Sequence, residues 1–320
     1  MKKTLFFLFL FIVILSCKNE ESQEQEIHKI PLELKIERFD QLFGGVNADN
    51  LTKLKKDYPF MFSRKYSDSF WLAKTKDTLQ IKLLQEVSKV FPDMKEQEGE
   101  IKSLFQHIKF YFPEFKSPRV ITTTSFVDYR NRIIVTDTIT LISVDTYLGS
   151  GHEFYQGIQK YIRQDFNKNH IVVDLASEYA KKYIFQGQNK TLLDEMIYFG
   201  KQLYFEDKVI PFKTEAERIG YTEAQLDWAR ANESYVWRYF VERELLFSTD
   251  SKLPGRFINP APFSKFYLEE IDSQSPGRLG QYMGWQIVRA YMENNDVTLK
   301  DMLITSPEDI FNNSKFKPRK

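Results

Sequence analysis

Apolar positions recur at helical spacing through most of the chain. Asp77–Phe91 carries Leu79, Leu83, Leu84, Val87 and Val90 at helical spacing, with Pro92 just beyond as a stop. Glu100–Phe112 repeats the pattern and ends at Pro113, so 51–112 reads as helical. Ahead of it, Leu32, Leu34 and Ile36 alternate through Pro31–Arg38 and predict a short strand before a helix around Asp40–Phe43. The texture then changes. Pro118–Ser125, Arg132–Thr136 and Thr138–Val144 are β-branched runs split by a turn-like Asp128-Tyr-Arg-Asn-Arg, which predicts an antiparallel meander over about 118–145. Helices resume at 171–183, 191–206, 221–247 and 277–293, with Thr222 as N-cap of the third. In the last of these, Leu279, Met283, Ile287 and Ala290 form the buried stripe, and Gly280 and Gly284 admit a close backbone neighbour. Thr298-x-x-Asp301 and Ser306-Pro307-Glu308 open two short successors. The stretch Phe247–Phe263, with Pro254, Gly255, Pro260 and Pro262, reads as a long loop of the kind that carries function. The predicted fold class is α+β and predominantly helical, with a small antiparallel sheet. One globular domain spans 28–320, its N-terminal part helical to about 115.

The first residues follow another pattern. Lys2 and Lys3 precede an unbroken apolar run, Leu5–Leu15, too short for the ~20 residues that span a bilayer. The run ends in Ile14-Leu15-Ser16-Cys17, which resembles the lipobox of bacterial lipoproteins. That resemblance implies that 1–16 is a signal peptide and that Cys17 is acylated as the first mature residue; an ordinary secretory leader is the alternative. Cys17 is the sole cysteine, so disulfides and Cys-ligated metals are excluded. Residues 17–27, whose Lys18–Glu26 reads KNEESQEQE, are expected to form a polar tether between lipid and folded body.

Composition changes the picture little. With 42% hydrophobic residues, 28 Phe, 17 Tyr and 4 Trp, the chain is built to pack, not to remain disordered. The formal charge is +1, and without Lys2 and Lys3 it is 43 basic against 44 acidic residues, or −1. Nothing there points to a nucleic-acid partner.

Candidate chemistry centres on helix 191–206. Zinc peptidases place His-Glu-x-x-His on such a helix because residues i and i+4 share a face. Here the same places hold Asp194-Glu195-x-x-Tyr198. The four histidines, His28, His107, His152 and His170, are scattered, and none lies four residues from another. A site of Asp194, Glu195 and Glu233 would be all carboxylate and suit Ca²⁺ or Mg²⁺ better than zinc. Asp194 has a simpler reading as the N3 partner of Thr191 in a capping box. No Gly-x-Ser-x-Gly and no free thiol supply a nucleophile. His152 follows the loop Asp145-Thr-Tyr-Leu-Gly149-Ser-Gly151, where Asp145 could pair with it or with an arginine. Arg278, just ahead of a helix, is expected to pair with Asp194 or Glu233.

Several strings together are similar to the gliding-motility lipoprotein GldB family. They are Ile36-Glu-Arg-Phe-Asp40, Asp145-Thr-Tyr-Leu-Gly149, Glu195-Met-Ile-Tyr-Phe-Gly-Lys201, Glu233-Ser-Tyr-Val-Trp237, Leu246-Phe-Ser-Thr-Asp250 and Gly284-Trp-Gln-Ile-Val-Arg-Ala-Tyr-Met292. The resemblance covers essentially the whole mature chain. It implies an envelope lipoprotein of the gliding apparatus, linked to type IX secretion and without established enzymatic activity. A more distant similarity, to predicted zinc peptidases, implies a zincin-like core. There Glu195 stands where the general base would be and Glu233 where a third ligand would be, with both metal histidines missing.

The resulting expectation is a non-catalytic, lipid-anchored component with no cofactor, held to the bilayer through Cys17 and contacting other envelope or gliding proteins. Asp194, Glu195, Tyr198, Glu233, His152, Asp145 and Arg278 would line a degenerate cleft. The alternatives are a hydrolase using that cleft, or a module binding a cell-wall or peptide ligand through it and the 248–262 loop.

Overall fold

The computed structural model describes residues 22–185, 187 and 190–320, so the leader and Cys17 lie outside the described residues. Helix α1 covers 22–28. It is followed by β1 (Ile36–Glu37), α2 (Phe39–Gly44), α3 (Leu51–Asp57), α4 (Asp68–Thr75), α5 (Thr78–Val90) and α6 (Lys95–Tyr111). Strands β2 (Arg119–Thr123), β3 (Ile133–Val135) and β4 (Ile139–Ser143) come next, then α7 (Lys160–Arg163) and α8 (Ile171–Tyr183). The remainder is α9 (Leu192–Val209), α10 (Glu215–Ile219), α11 (Glu223–Ala231), α12 (Glu233–Glu242), α13 (Leu253–Phe257), α14 (Glu269–Asp272), α15 (Leu279–Asn294), α16 (Leu299–Ile304) and α17 (Pro307–Ser314).

Helix starts follow the side-chain chemistry. The Asp77 carboxylate accepts from the N–H groups of Leu79 and Gln80 at 2.9 and 3.0 Å, opening α5. Thr191–Asp194, Thr214–Glu217 and Thr222–Gln225 form reciprocal capping boxes on α9, α10 and α11. Thr298 and Ser306 cap α16 and α17 as their spacing predicts.

The sheet differs from the expected antiparallel meander. Its order is β1-β2-β4-β3, with β1 and β4 both parallel to β2 and only β3 antiparallel to β4. The β-branched runs mark the strands but carry no pairing information. Three-residue β3 folds back along the outer edge of β4 and leaves β4 in the middle, beside β2. The sheet separates two apolar clusters. Val120, Ile133 and Ile142 join the large core with α6, α8, α9 and α15, while Ile121, with Ile139 and Leu141 packed alongside, joins a smaller aromatic one with Phe39, Tyr58 and Phe62.

Three other expectations are revised. The helix read over 221–247 breaks at Asn232, whose amide nitrogen turns back to donate to the Trp228 carbonyl at 2.8 Å. The 247–263 loop contains α13. The polar stretch read as tether is helical at 22–28 and seated on α6: Ile27 is buried, Gln23 donates to the Tyr111 hydroxyl at 2.8 Å, and Glu24 lies 3.0 Å from His107.

At the centre, α9 crosses α15 backbone against backbone. A Cβ added to Gly284 would run into the Met196 carbonyl, and one added to Gly200 would run into the Gly284 carbonyl. Gly99 on α6, by contrast, has nothing within 4 Å of an added Cβ. Gly284→Ala is therefore expected to destabilise by ~3 kcal/mol through overpacking. Gly99→Ala should stabilise by about 0.5–1 kcal/mol through helix propensity. Denaturant midpoints of the two variants check both signs.

Candidate functional site

Helix α9 is buried on most of its circumference: Phe199 is half-buried, and even Lys201 and Glu206 are 1% and 0% exposed. Its acidic start is spent on the cap. Asp194 Oδ2 accepts from the Thr191 backbone N–H at 2.9 Å and from the Thr191 hydroxyl at 2.6 Å, and the Asp194 N–H donates to Thr191 Oγ1 at 3.2 Å. Asp194, Glu195 and Tyr198 do line one space, together with Phe185, Lys201 and Pro307, but it holds only about 20 Å³. Burial pushes the Tyr198 phenol upward, so it stays protonated.

The other predicted site residues are placed elsewhere. Glu233 is buried at the first turn of α12, where its carboxylate accepts from the Tyr282 hydroxyl at 2.8 Å and the Arg319 N–H at 2.9 Å. It lines a separate polar cavity of about 670 Å³ with Asp207, Glu215, Arg289 and Arg319. The basic C-terminal stretch is thereby drawn onto the body, with Phe316 packed edge-on to Trp237. His152 lies against Phe154 and Tyr155, with Nε2 3.4 Å from Glu86 and Nδ1 accepting from the Phe154 N–H at 3.3 Å. Asp145 is fully buried and does not meet His152. It accepts from the N–H groups of Ser125 and Val127 at 2.9 and 2.7 Å, and burial raises its carboxyl. Arg278 pairs with neither Asp194 nor Glu233. Sitting in a left-handed conformation (φ 60°) as the N-cap of α15, it donates to the Ile219 carbonyl at 2.9 Å and lies 3.7 Å from Asp165. That conformation turns its side chain toward the α10 end. The seven residues therefore do not form one cleft. Among the described residues no group of three or more His, Cys, Asp or Glu could hold a metal ion.

Sequence reasoning missed Lys201 and Glu206. Lys201 Nζ donates to the carbonyls of Leu303 and Thr305, at 2.9 and 2.6 Å, closing the C-terminal end of α16. Burial lowers its ammonium to about 8. Glu206 accepts from the Ser177 hydroxyl at 2.6 Å, while its other oxygen has no partner among the described residues. Burial pushes its carboxyl up to about 8. Beside it on α9, Asp207 takes both Arg289 and Arg218, and Arg289 continues to Glu215 at 2.9 Å. The available signal was that charges on a helix apolar nearly all round have no solvent face to occupy.

The fold is thus a helix-dominated α+β domain in which the acids of the central helix cap, pair or stay protonated. The chain belongs to the GldB family: the model for gliding motility protein GldB matches residues 20–318. No curated protein and no solved structure matches the chain, so the zinc-peptidase likeness has no counterpart in these comparisons. No helix among the described residues is long and apolar enough to cross a membrane.

The Glu206 carboxyl holds its proton more tightly folded, at about 8, than at its ordinary 4.5. Its contribution to stability is full below pH 4.5 and is lost as pH climbs through about 8. Glu206→Gln should flatten the decline across that window, seen in denaturation midpoints measured against pH. Lys201, whose folded value is depressed, acts above this window, between about 8 and 10.5, where stability recovers as it loses its proton. Thr191→Ala should cost ~1 kcal/mol through the lost cap, by the same measurement.

Proposed function

We propose that the protein is a lipid-anchored, non-catalytic component of the gliding machinery, held at the cell envelope by acylated Cys17 and working through contacts with other envelope proteins of a type IX secretion-linked system. Family membership supplies the gliding context. The lipobox-like Ile14-Leu15-Ser16-Cys17 supplies the anchor. The observation that carries the non-catalytic part is the space in front of Glu195. At about 20 Å³ it takes little more than one water, and Asp194 beside it is committed to Thr191. The retained glutamate then reads as a surface-proximal remnant on a helix kept for packing. Glu233 is held as a structural acceptor for Tyr282 and the C-terminal stretch.

The test sets two variants in cells against each other. Cys17→Ala should abolish incorporation of labelled palmitate, move the protein out of the membrane fraction and stop gliding. Glu195→Gln should leave protein level, membrane association and gliding at wild-type values. Loss of gliding in a stable, membrane-bound Glu195→Gln protein would overturn the non-catalytic reading, and membrane retention of Cys17→Ala would overturn the anchor.

A further inference from the structure

The smaller core, on the opposite face of the sheet from α9, contains a cavity of about 310 Å³. Phe39, Phe43, Phe70, Trp71 and Phe126 wall it, with Lys74, Gln80 and Thr124 among the polar residues at its lining. Three features set it apart from an ordinary packing gap.

The first is an unused donor. Trp71 Nε1–H is buried and has no hydrogen-bond partner among the described residues. A buried indole N–H ordinarily finds an acceptor, and leaving one unmade is costly. The second is an unpaired cation. The Lys74 ammonium lies 5.2 Å from the Phe126 ring centroid and 5.9 Å from that of Phe70, and meets no carboxylate among the described residues. The acid that lines the cavity, Asp40, is already taken by Arg38 at 2.8 Å and by the Thr122 hydroxyl at 2.5 Å. Trp71 and Lys74 are three residues apart on α4, a spacing that sets them on one helix face.

The third is backbone strain at the wall. Phe126 and Val127 are consecutive left-handed residues, φ 58° and 61°, a conformation that a β-branched valine adopts only when its surroundings impose it. What imposes it is Asp145, whose buried carboxylate gathers the N–H groups on either side of Phe126. The turn leaves Phe126 43% exposed, under the Lys74 ammonium and at the cavity. Asp145 thus acts as a positioning residue for this wall.

We propose that this cavity is a binding site for a small monocarboxylate bearing an aromatic or compact aliphatic group. The apolar group sits among Phe39, Phe43 and Phe126 beside the Trp71 ring, and the carboxylate pairs with Lys74. An amphiphile of opposite charge is disfavoured because, among the described residues, the unpaired charge at the cavity is positive. A volume near the lower end of the usual ligand range fits one ring or a short branched chain, not a long acyl tail. The inference is independent of the anchoring and motility reading.

The test uses the full chain in phospholipid nanodiscs, with empty discs as blank, titrated calorimetrically with phenylacetate, phenylethanol and phenethylammonium. Phenylacetate should saturate, bind about tenfold tighter than phenylethanol, and perturb tryptophan fluorescence; phenethylammonium should not bind. Lys74→Gln, a half-buried position, should erase the preference for the acid while leaving phenylethanol binding unchanged. Trp71→Phe should remove the fluorescence response. Absence of saturable phenylacetate binding would overturn the proposal. So would equal affinity for acid and alcohol, or a Lys74→Gln protein that still prefers the acid.

Discussion

The backbone contact between α9 and α15 is the constraint on which the rest of the structure depends. Gly200 and Gly284 let the two helices touch without side chains between them, and Met196 fills the approach from the other side. Helices normally meet at 8–10 Å through interlocking side chains. Removing the side chains at the crossing brings the main chains together there. Every group carried by α9 must then find its place around the rest of the circumference. Leu192, Met196 and Leu203 go into the large core, Lys201 reaches the end of α16, and Asp207 collects two arginines.

That geometry also bears on how Asp194-Glu195-x-x-Tyr198 is placed at the start of α9. A metallopeptidase helix needs one face turned to an open groove. Here the start of α9 shares a crevice of about 20 Å³ with Phe185, Lys201 and Pro307, and Asp194 is held in the cap with Thr191. The larger polar cavity forms instead where the later turns of α9 face α15, around Asp207 and Arg289 with Glu233 at its edge. Several of the charges around it are paired: Arg289 bridges Asp207 and Glu215, and Glu215 meets Arg230 at 2.7 Å. Such a network ties α9, α10, α11 and α15 to one another.

What the sequence made legible follows from what is local. Helix existence, most starts and the close approach at Gly284 depend on neighbours within a few residues, and Thr191, Thr222, Thr298 and Ser306 cap where their spacing says they should. Pairings between distant segments were not legible. The β-branched runs fit a meander and a mixed sheet equally well. Arg278 had several carboxylates within sequence reason, and its left-handed backbone, which chose Asp165, leaves no mark in composition. Asn232 stands at a break in a run that reads as one helix, its side-chain amide joining its own backbone N–H on the Trp228 carbonyl. The candidate cleft failed for the same reason: its seven members were each plausible alone, and only the fold decides which of them meet.

The buried acids show how one residue type takes different states within a single fold. Asp145 and Glu206 are both sequestered from water, and burial raises both carboxyls. Asp145 recovers much of that cost from two backbone N–H groups and the Ser125 hydroxyl, so it has donors that favour the carboxylate. Glu206 has one hydroxyl and a bare second oxygen, and its proton is the cheaper solution. The difference is a count of donors, not of depth. Asp145 imposes a left-handed turn on Phe126 and Val127 because its oxygens collect the N–H groups of Ser125 and Val127. Glu206 can only fill space beside Ser177. In this protein the strained wall of the small aromatic cavity and the quiet interior of α9 come from the same side-chain chemistry, separated by what the neighbouring backbone had left to donate.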